Sequence, residues 1–165
     1  MNQITRDKAL YIVSMILIFL AVSLFLLYRL REPAAVDTDF EALQQALEAQ
    51  GLTEELSFGT EANLKRNFDI FPSQYVKYIY YTPTDFMSVD EILLLELTEA
   101  SEAEKLAEAC RKRIEKQVLM FENYGTDQYS LLQEARIYQN GRYLCFCCGH
   151  HSREAMDLIR SSIER

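Results

Sequence analysis

Histidine is nearly absent from this chain: there are two, His150 and His151, side by side. Any Ser-His-Asp or Cys-His chemistry would have to run from that one short segment. Other signatures are missing altogether. No Gly-x-Ser-x-Gly elbow, Walker loop, dinucleotide fingerprint or metalloprotease histidine pair occurs. These absences leave no sequence grounds for a catalytic residue, and the expectation is a protein that is not an enzyme and uses no cofactor. There is also no internal repeat, no low-complexity segment and no second linker. One folded domain is therefore the economical count.

What is present is an uncharged run from Ala9 to Tyr28, bracketed by Arg6 and Lys8 before it and by Arg29 and Arg31 after it. At about 1.5 Å of rise per residue, roughly 20 apolar positions span the ~30 Å of a bilayer's hydrocarbon. Ser14 and Ser23 are its clearly polar residues, and a helix can bond such hydroxyls to its own carbonyls. A cleaved signal peptide would have an apolar region of about 7 to 15 residues ending at a small-x-small site. This run is longer, and Pro33 and charged residues spoil the site near Ala34 and Ala35. The expected organisation is a short tail over 1–8, a transmembrane helix over 9–30, a tether over 31–38 and a domain over 39–165. Basic residues flank both ends, so the positive-inside bias nearly cancels. Residues 1–31 hold four basic and one acidic side chain, net +3, which leaves −11 of the chain's −8 for the remainder. A domain of that sign is not a nucleic-acid binder and is repelled by anionic surfaces.

Within the domain, Asp39 is placed to cap a helix carrying Phe40, Leu43, Ala46 and Leu47, with Gly51 ending it. A short helix is expected from Glu61 to Phe68. The period then changes to that of strands over Tyr75 to Tyr81 and Glu91 to Leu97. Ser101 with Glu104 reads as a capping box, and Leu106, Ala107, Cys110, Ile114, Val118 and Phe121 fall on one helical stripe. Segments 136–139 and 142–148 flank Asn140-Gly141, a pair suited to a type I′ turn. Ser152 is placed to cap a last helix that turns Ala155, Leu158, Ile159 and Ile163 inward. The fold class is α+β, with a mainly antiparallel sheet of about four strands and helices gathered on one face.

Three stretches carry a resemblance: Met87-Ser88-Val89-Asp90-Glu91-Ile92, the helix ending Phe121-Glu122-Asn123-Tyr124, and Asn140-Gly141-Arg142-Tyr143. Together they resemble the domain-of-unknown-function family DUF4358, from about Phe40 to the C-terminus. That resemblance implies a small protein of Gram-positive, clostridia-like bacteria with an N-terminal anchor or lipoprotein signal and one extracytoplasmic domain. It supplies no activity and no catalytic residues. It favours a cytoplasmic N-terminus with the C-terminal domain outside the cell membrane. The chain departs from the family's closing strand at Cys145, Cys147 and Cys148, where aliphatics are expected.

Those cysteines head the chemically suggestive cluster Cys145-Phe146-Cys147-Cys148-Gly149-His150-His151. Thiolate and imidazole suit zinc and other soft metals. Residues of one strand cannot easily surround an ion, so the plainer reading is cysteine as a small hydrophobe in a buried strand. A disulfide between Cys110 and a strand cysteine stays open, since Cα separation is not legible in sequence. Asp90 and Glu91 are candidates for paired acids or for a cation or binding site, although adjacent strand side chains point to opposite faces, poor geometry for a general acid and base on one bond, and shaping a turn suits them better. Tyr75, Tyr78, Tyr80 and Tyr81 offer a stacking surface, or simply strand propensity with core packing. The basic residues Arg111, Lys112, Arg113 and Lys116 read as a solvated helix face. The function expected is a non-enzymatic binding or scaffolding module, held to the membrane by residues 9–30, for a protein or envelope partner. The alternative is a metal- or redox-responsive module built on Cys145 to His151.

Overall fold

Apolar residues on both sides of the central strands decide the architecture, because each side must then be covered. The computed structural model describes residues 13–25, 38–122 and 125–164. The chain divides into two units, residues 1–34 and 35–165. In the first, residues 13–25 form helix α1 with mainly exposed apolar side chains. At 1.5 Å per residue those 13 residues span about 20 Å. Among the described residues no helix is long and apolar enough to cross a membrane. The tail over 1–8, the ends of the expected span at 9–12 and 26–30, and the tether over 31–37 lie outside the described residues.

The second unit opens with α2 (Phe40–Ala49), where Asp39 accepts a hydrogen bond from the Ala42 N–H as the cap. Gly51 follows with φ +70°, the left-handed geometry that ends a helix cheaply only at glycine. Next come β1 (Leu56–Phe58), α3 (Glu61–Phe68), β2 (Tyr75–Pro83) and β3 (Glu91–Leu97). Thr60 and Asn63 form a reciprocal capping box that starts α3. The long α4 (Ala103–Phe121) and the short α5 (Thr126–Gln133) lead to β4 (Arg136–Asn140), β5 (Tyr143–Cys148) and α6 (Ser152–Ile163). The five strands are ordered β1-β2-β3-β5-β4, and every neighbouring pair is antiparallel.

The α+β class with an antiparallel sheet is as the sequence predicts, but two features of the layout are not. Leu-Ser-Phe at β1 adds a fifth strand, too short at three residues to show a period. The helices are not gathered on one face. Leu93, Leu95, Leu144 and Phe146 pack with α3, α4 and α5, while Ile92, Leu94, Cys145 and Cys147 pack with α2 and α6. Side chains alternate along a strand, so two apolar sets require two covering layers.

Local details differ too. Ser101 lies in a 3₁₀ turn, Ala100–Glu102, and caps nothing, so there is no Ser101–Glu104 box. Ser152 is the first, buried residue of α6, with His151 in the cap position. In the β4–β5 hairpin Asn140 pairs with Tyr143, so the turn residues are Gly141 and Arg142. Among them Gly141 alone has positive φ, +56°, the sign pattern of a type II′ turn rather than type I′. On α4, Leu106, Ala107, Cys110 and Phe121 are buried as expected, with Ile114 and Val118 half-buried beside them.

Candidate functional site

The register of the two central strands creates the site. Glu91 opens β3 directly opposite Cys148, the last residue of β5. The next residues outward, Asp90 and Gly149, therefore meet at the end of the sheet. Gly149 has φ +106°, and a Cβ there would lie 2.1 Å from Asp90 Oδ1. Only glycine lets the chain pass. The following residue then turns back onto the carboxylate: the His150 N–H donates to Asp90 Oδ1 at 2.7 Å, with His150 Nδ1 at 3.1 Å from the same oxygen. Ser88 Oγ donates to Asp90 Oδ2 at 2.6 Å and accepts from the Asp90 N–H at 3.1 Å. Burial by itself would raise the Asp90 carboxyl. The bonds from Ser88 and His150 outweigh it and hold the group below its usual range.

These residues line one side of a cleft of about 660 Å³. Its other walls are Glu54, Glu55 and Leu56 at the start of β1, Thr84, Asp85 and Met87 of the β2–β3 loop, Gln128 of α5, and His151. The loop is fixed at several points. Asp85 accepts from the Met87 N–H at 2.9 Å, Gln128 Oε1 accepts from the Val89 N–H at 3.1 Å, and the Thr84 hydroxyl donates to the Glu55 carbonyl at 2.9 Å. At its tip Phe86 is 86% exposed, next to the half-exposed Met87. Among the described residues no lysine or arginine lines the cleft.

Glu91 belongs to different chemistry. Its side chain is fully buried on the α4 side, and it accepts from Tyr80 OH at 2.7 Å and from Arg113 Nε and Nη2 at 3.1 and 3.2 Å. Asn67 Nδ2 donates to the same Tyr80 hydroxyl at 2.7 Å. Burial raises the Tyr80 phenol first, and the neighbouring Glu91 charge adds to it. Asp90 and Glu91 are thus a cleft residue and an interior residue, not a pair. The tyrosine stacking surface also dissolves. Tyr75, Tyr80 and Tyr81 are buried and Tyr78 is half-buried, packed between Phe58 and Tyr75.

The cysteine–histidine cluster is split by the strand that carries it. Cys145 and Cys147 point to the α6 side with their sulfurs 3.7 Å apart, Cys148 points to the α4 side, and His150 and His151 are outside. All four cysteines are buried free thiols, so the Cys110 pairing is not made. Burial pushes the Cys148 thiol up to about 12, and Cys145 is raised by burial and by its neighbour Cys147. Among the described residues no three His, Cys, Asp or Glu side chains are disposed to hold a metal. Nor does a nucleophile sit on His150, since the Ser88 hydroxyl is spent on Asp90. What this geometry can do is present fixed polar groups and an apolar rim to a ligand.

The model of the family described as Domain of unknown function (DUF4358) matches residues 48–149. The chain belongs to the DUF4358 family. The DUF4358 match takes in all five strands and ends at Gly149, so Asp90 lies inside it, and both histidines and α6 lie beyond. Neither the curated proteins nor the solved structures contain a match to the chain.

Sequence reasoning reached Asp90 and the two histidines separately. It missed Ser88, Gln128, Phe86 and Gly149 as parts of the same place. The one local signal was Gly149, a glycine interrupting a strand-to-helix connection.

Proposed function

We propose that this protein is a single-pass, membrane-held binding module, with its N-terminus in the cytoplasm and its domain outside the cell. The domain receives an envelope or membrane partner in the cleft at the Asp90–His150 end of the sheet. The observation that carries this reading is the cleft itself. Its polar groups are already engaged with one another, as in a rigid recognition surface, while Met87 on its wall and Phe86 at the tip of the same loop stand exposed as apolar anchors. Support for the anchor comes from the uncharged run over 9–28 and from membership of the family. A metal or redox role for Cys145 to His151 draws less support, since its thiols are enclosed and face opposite sides of the sheet.

Two experiments on the full-length protein in its own membranes test this. Protease added to intact protoplasts should digest the domain and spare cytosolic markers. A photo-crosslinking residue in place of Phe86 should capture one discrete partner, and Gly149→Ala, which removes the room Asp90 needs, should abolish that capture. Protection of the domain in intact protoplasts would overturn the orientation. Capture that is indifferent to Gly149→Ala would overturn the cleft.

A further inference from the structure

A second concave surface lies away from the cleft, between α3 and α4, with a volume of about 260 Å³. One wall is a single stripe of α4: Lys105, Ala109, Lys112 and Lys116, spaced by four, three and four residues so that they share a face. The other wall is the end of α3, where Asn67 is pinned to the Tyr80 hydroxyl and accepts from Arg66 Nε at 3.4 Å. Three lysines thus line one groove on a domain whose overall charge is strongly negative. The carboxylates there do not neutralise it. Lys105 is paired with Glu102 at 2.8 Å, whereas Lys112 and Lys116 have no carboxylate within ion-pair distance among the described residues, Asp69 of the groove wall included.

Helix spacing sharpens the point. Lys116 has Lys112 four residues before it, and Arg113, Leu119 and Met120 at its other helical neighbour positions. None can offset its charge. The acids at helical neighbour positions of Lys112 are Glu108, four residues before and bonded to Arg111 on the next face at 2.8 Å, and Glu115, three residues after, which makes no ion pair with it among the described residues. Two like charges one turn apart work against their own helix unless an anion sits between them. Ala109, one turn before Lys112 and one turn after Lys105, lines the groove as a small side chain between those two lysines.

We infer that the α3–α4 groove is a binding site for an anionic phosphate group, held by Lys112 and Lys116 with Lys105 at its end. Two sources share that chemistry, a soluble phosphate compound and an anionic lipid headgroup. The test is calorimetric titration of the full-length protein in neutral detergent at fixed ionic strength. One arm uses sodium pyrophosphate and the other monomeric dihexanoyl-phosphatidylglycerol, with dihexanoyl-phosphatidylcholine as its neutral counterpart. Saturable binding is expected in at least one anionic arm, and the arm that binds names the source. Lys112→Gln with Lys116→Gln should weaken it by at least about tenfold, the loss of two charge-assisted contacts. Arg153→Gln, an exposed cation on α6, should leave it unchanged. Absence of saturable binding in both anionic arms, equal binding of the neutral lipid, or a double variant that binds like the parent would each overturn the site.

Discussion

On the α4 side of the sheet the interior encloses a charge, whereas on the α6 side it is apolar down to the sulfurs of Cys145 and Cys147. Glu91 is the one fully buried charged residue among those described, held by Arg113 and the Tyr80 hydroxyl. The α6 side fills the same strands' other face with Ile79, Ile92, Leu94, Ile159 and Ile163. An apolar layer fails gradually, because each lost methylene costs its own burial and cavity. An ion pair fails all at once, because removing either partner strands the other in a medium that cannot solvate it. The two sides should therefore answer mutation differently.

The largest effect is expected from Arg113→Ala, which leaves Glu91 charged and unpaired, at a cost of about 3–5 kcal/mol. Adding Glu91→Leu should recover most of that loss, and a denaturant titration of the two variants measures it. A double variant no more stable than Arg113→Ala would erase the contrast between the faces. On the α6 side, Ile159→Ala should cost about 2–4 kcal/mol, and no second substitution among its polar neighbours should rescue it. Thermal melts of the pair of variants decide this.

Asp90→Asn is expected to cost less, about 1–3 kcal/mol at neutral pH. Its carboxyl is depressed in the folded state, so its stabilisation is present above the ordinary value of about 3.9 and is surrendered as the pH falls through the lower folded value. The gap between parent and variant should thus be full at pH 7 and close in acid. A gap that widened in acid would mean that Asp90 is not held as an anion. The smallest change should follow Cys145→Ala, about 1 kcal/mol, since a small buried hydrophobe is exchanged for a smaller one. Metal analysis of the parent is the sharper measurement there: near-stoichiometric zinc would contradict the enclosed, divided thiols.

How far the sequence could be read follows from which forces are local. Segments Glu61–Phe68 and Glu91–Leu97 form as predicted because period and cap signals lie within them. α5 was not anticipated, since Thr126–Gln133 has little amphipathic pattern and buries Leu132 alone. The two-sided covering of the sheet was legible in Ile92 and Leu94 alternating with Leu93 and Leu95, yet it conflicts with helices on one face. The Asp90–His150 contact joins residues sixty positions apart. No local pattern encodes such a contact. Glu91 carries a signal, an acid opening an apolar strand, but its partner Arg113 lies in a basic run that reads as a solvated face. One helix can present Arg111 to water and Arg113 to the interior only because the two sit about 200° apart around it.

The strand order has a consequence for how the chain must find this shape. β1, β2 and β3 form one run of successive antiparallel neighbours, and β4 with β5 forms a two-stranded hairpin closed by Gly141-Arg142. Both can assemble from nearby residues. They are joined along a single seam, β3 against β5, whose partners are about fifty residues apart in the chain. That seam brings Asp90 to Gly149 and gives Glu91 its place in the interior, so the cleft does not exist until this long-range pairing is made. A newly made chain has no cleft until the two parts of its sheet have met.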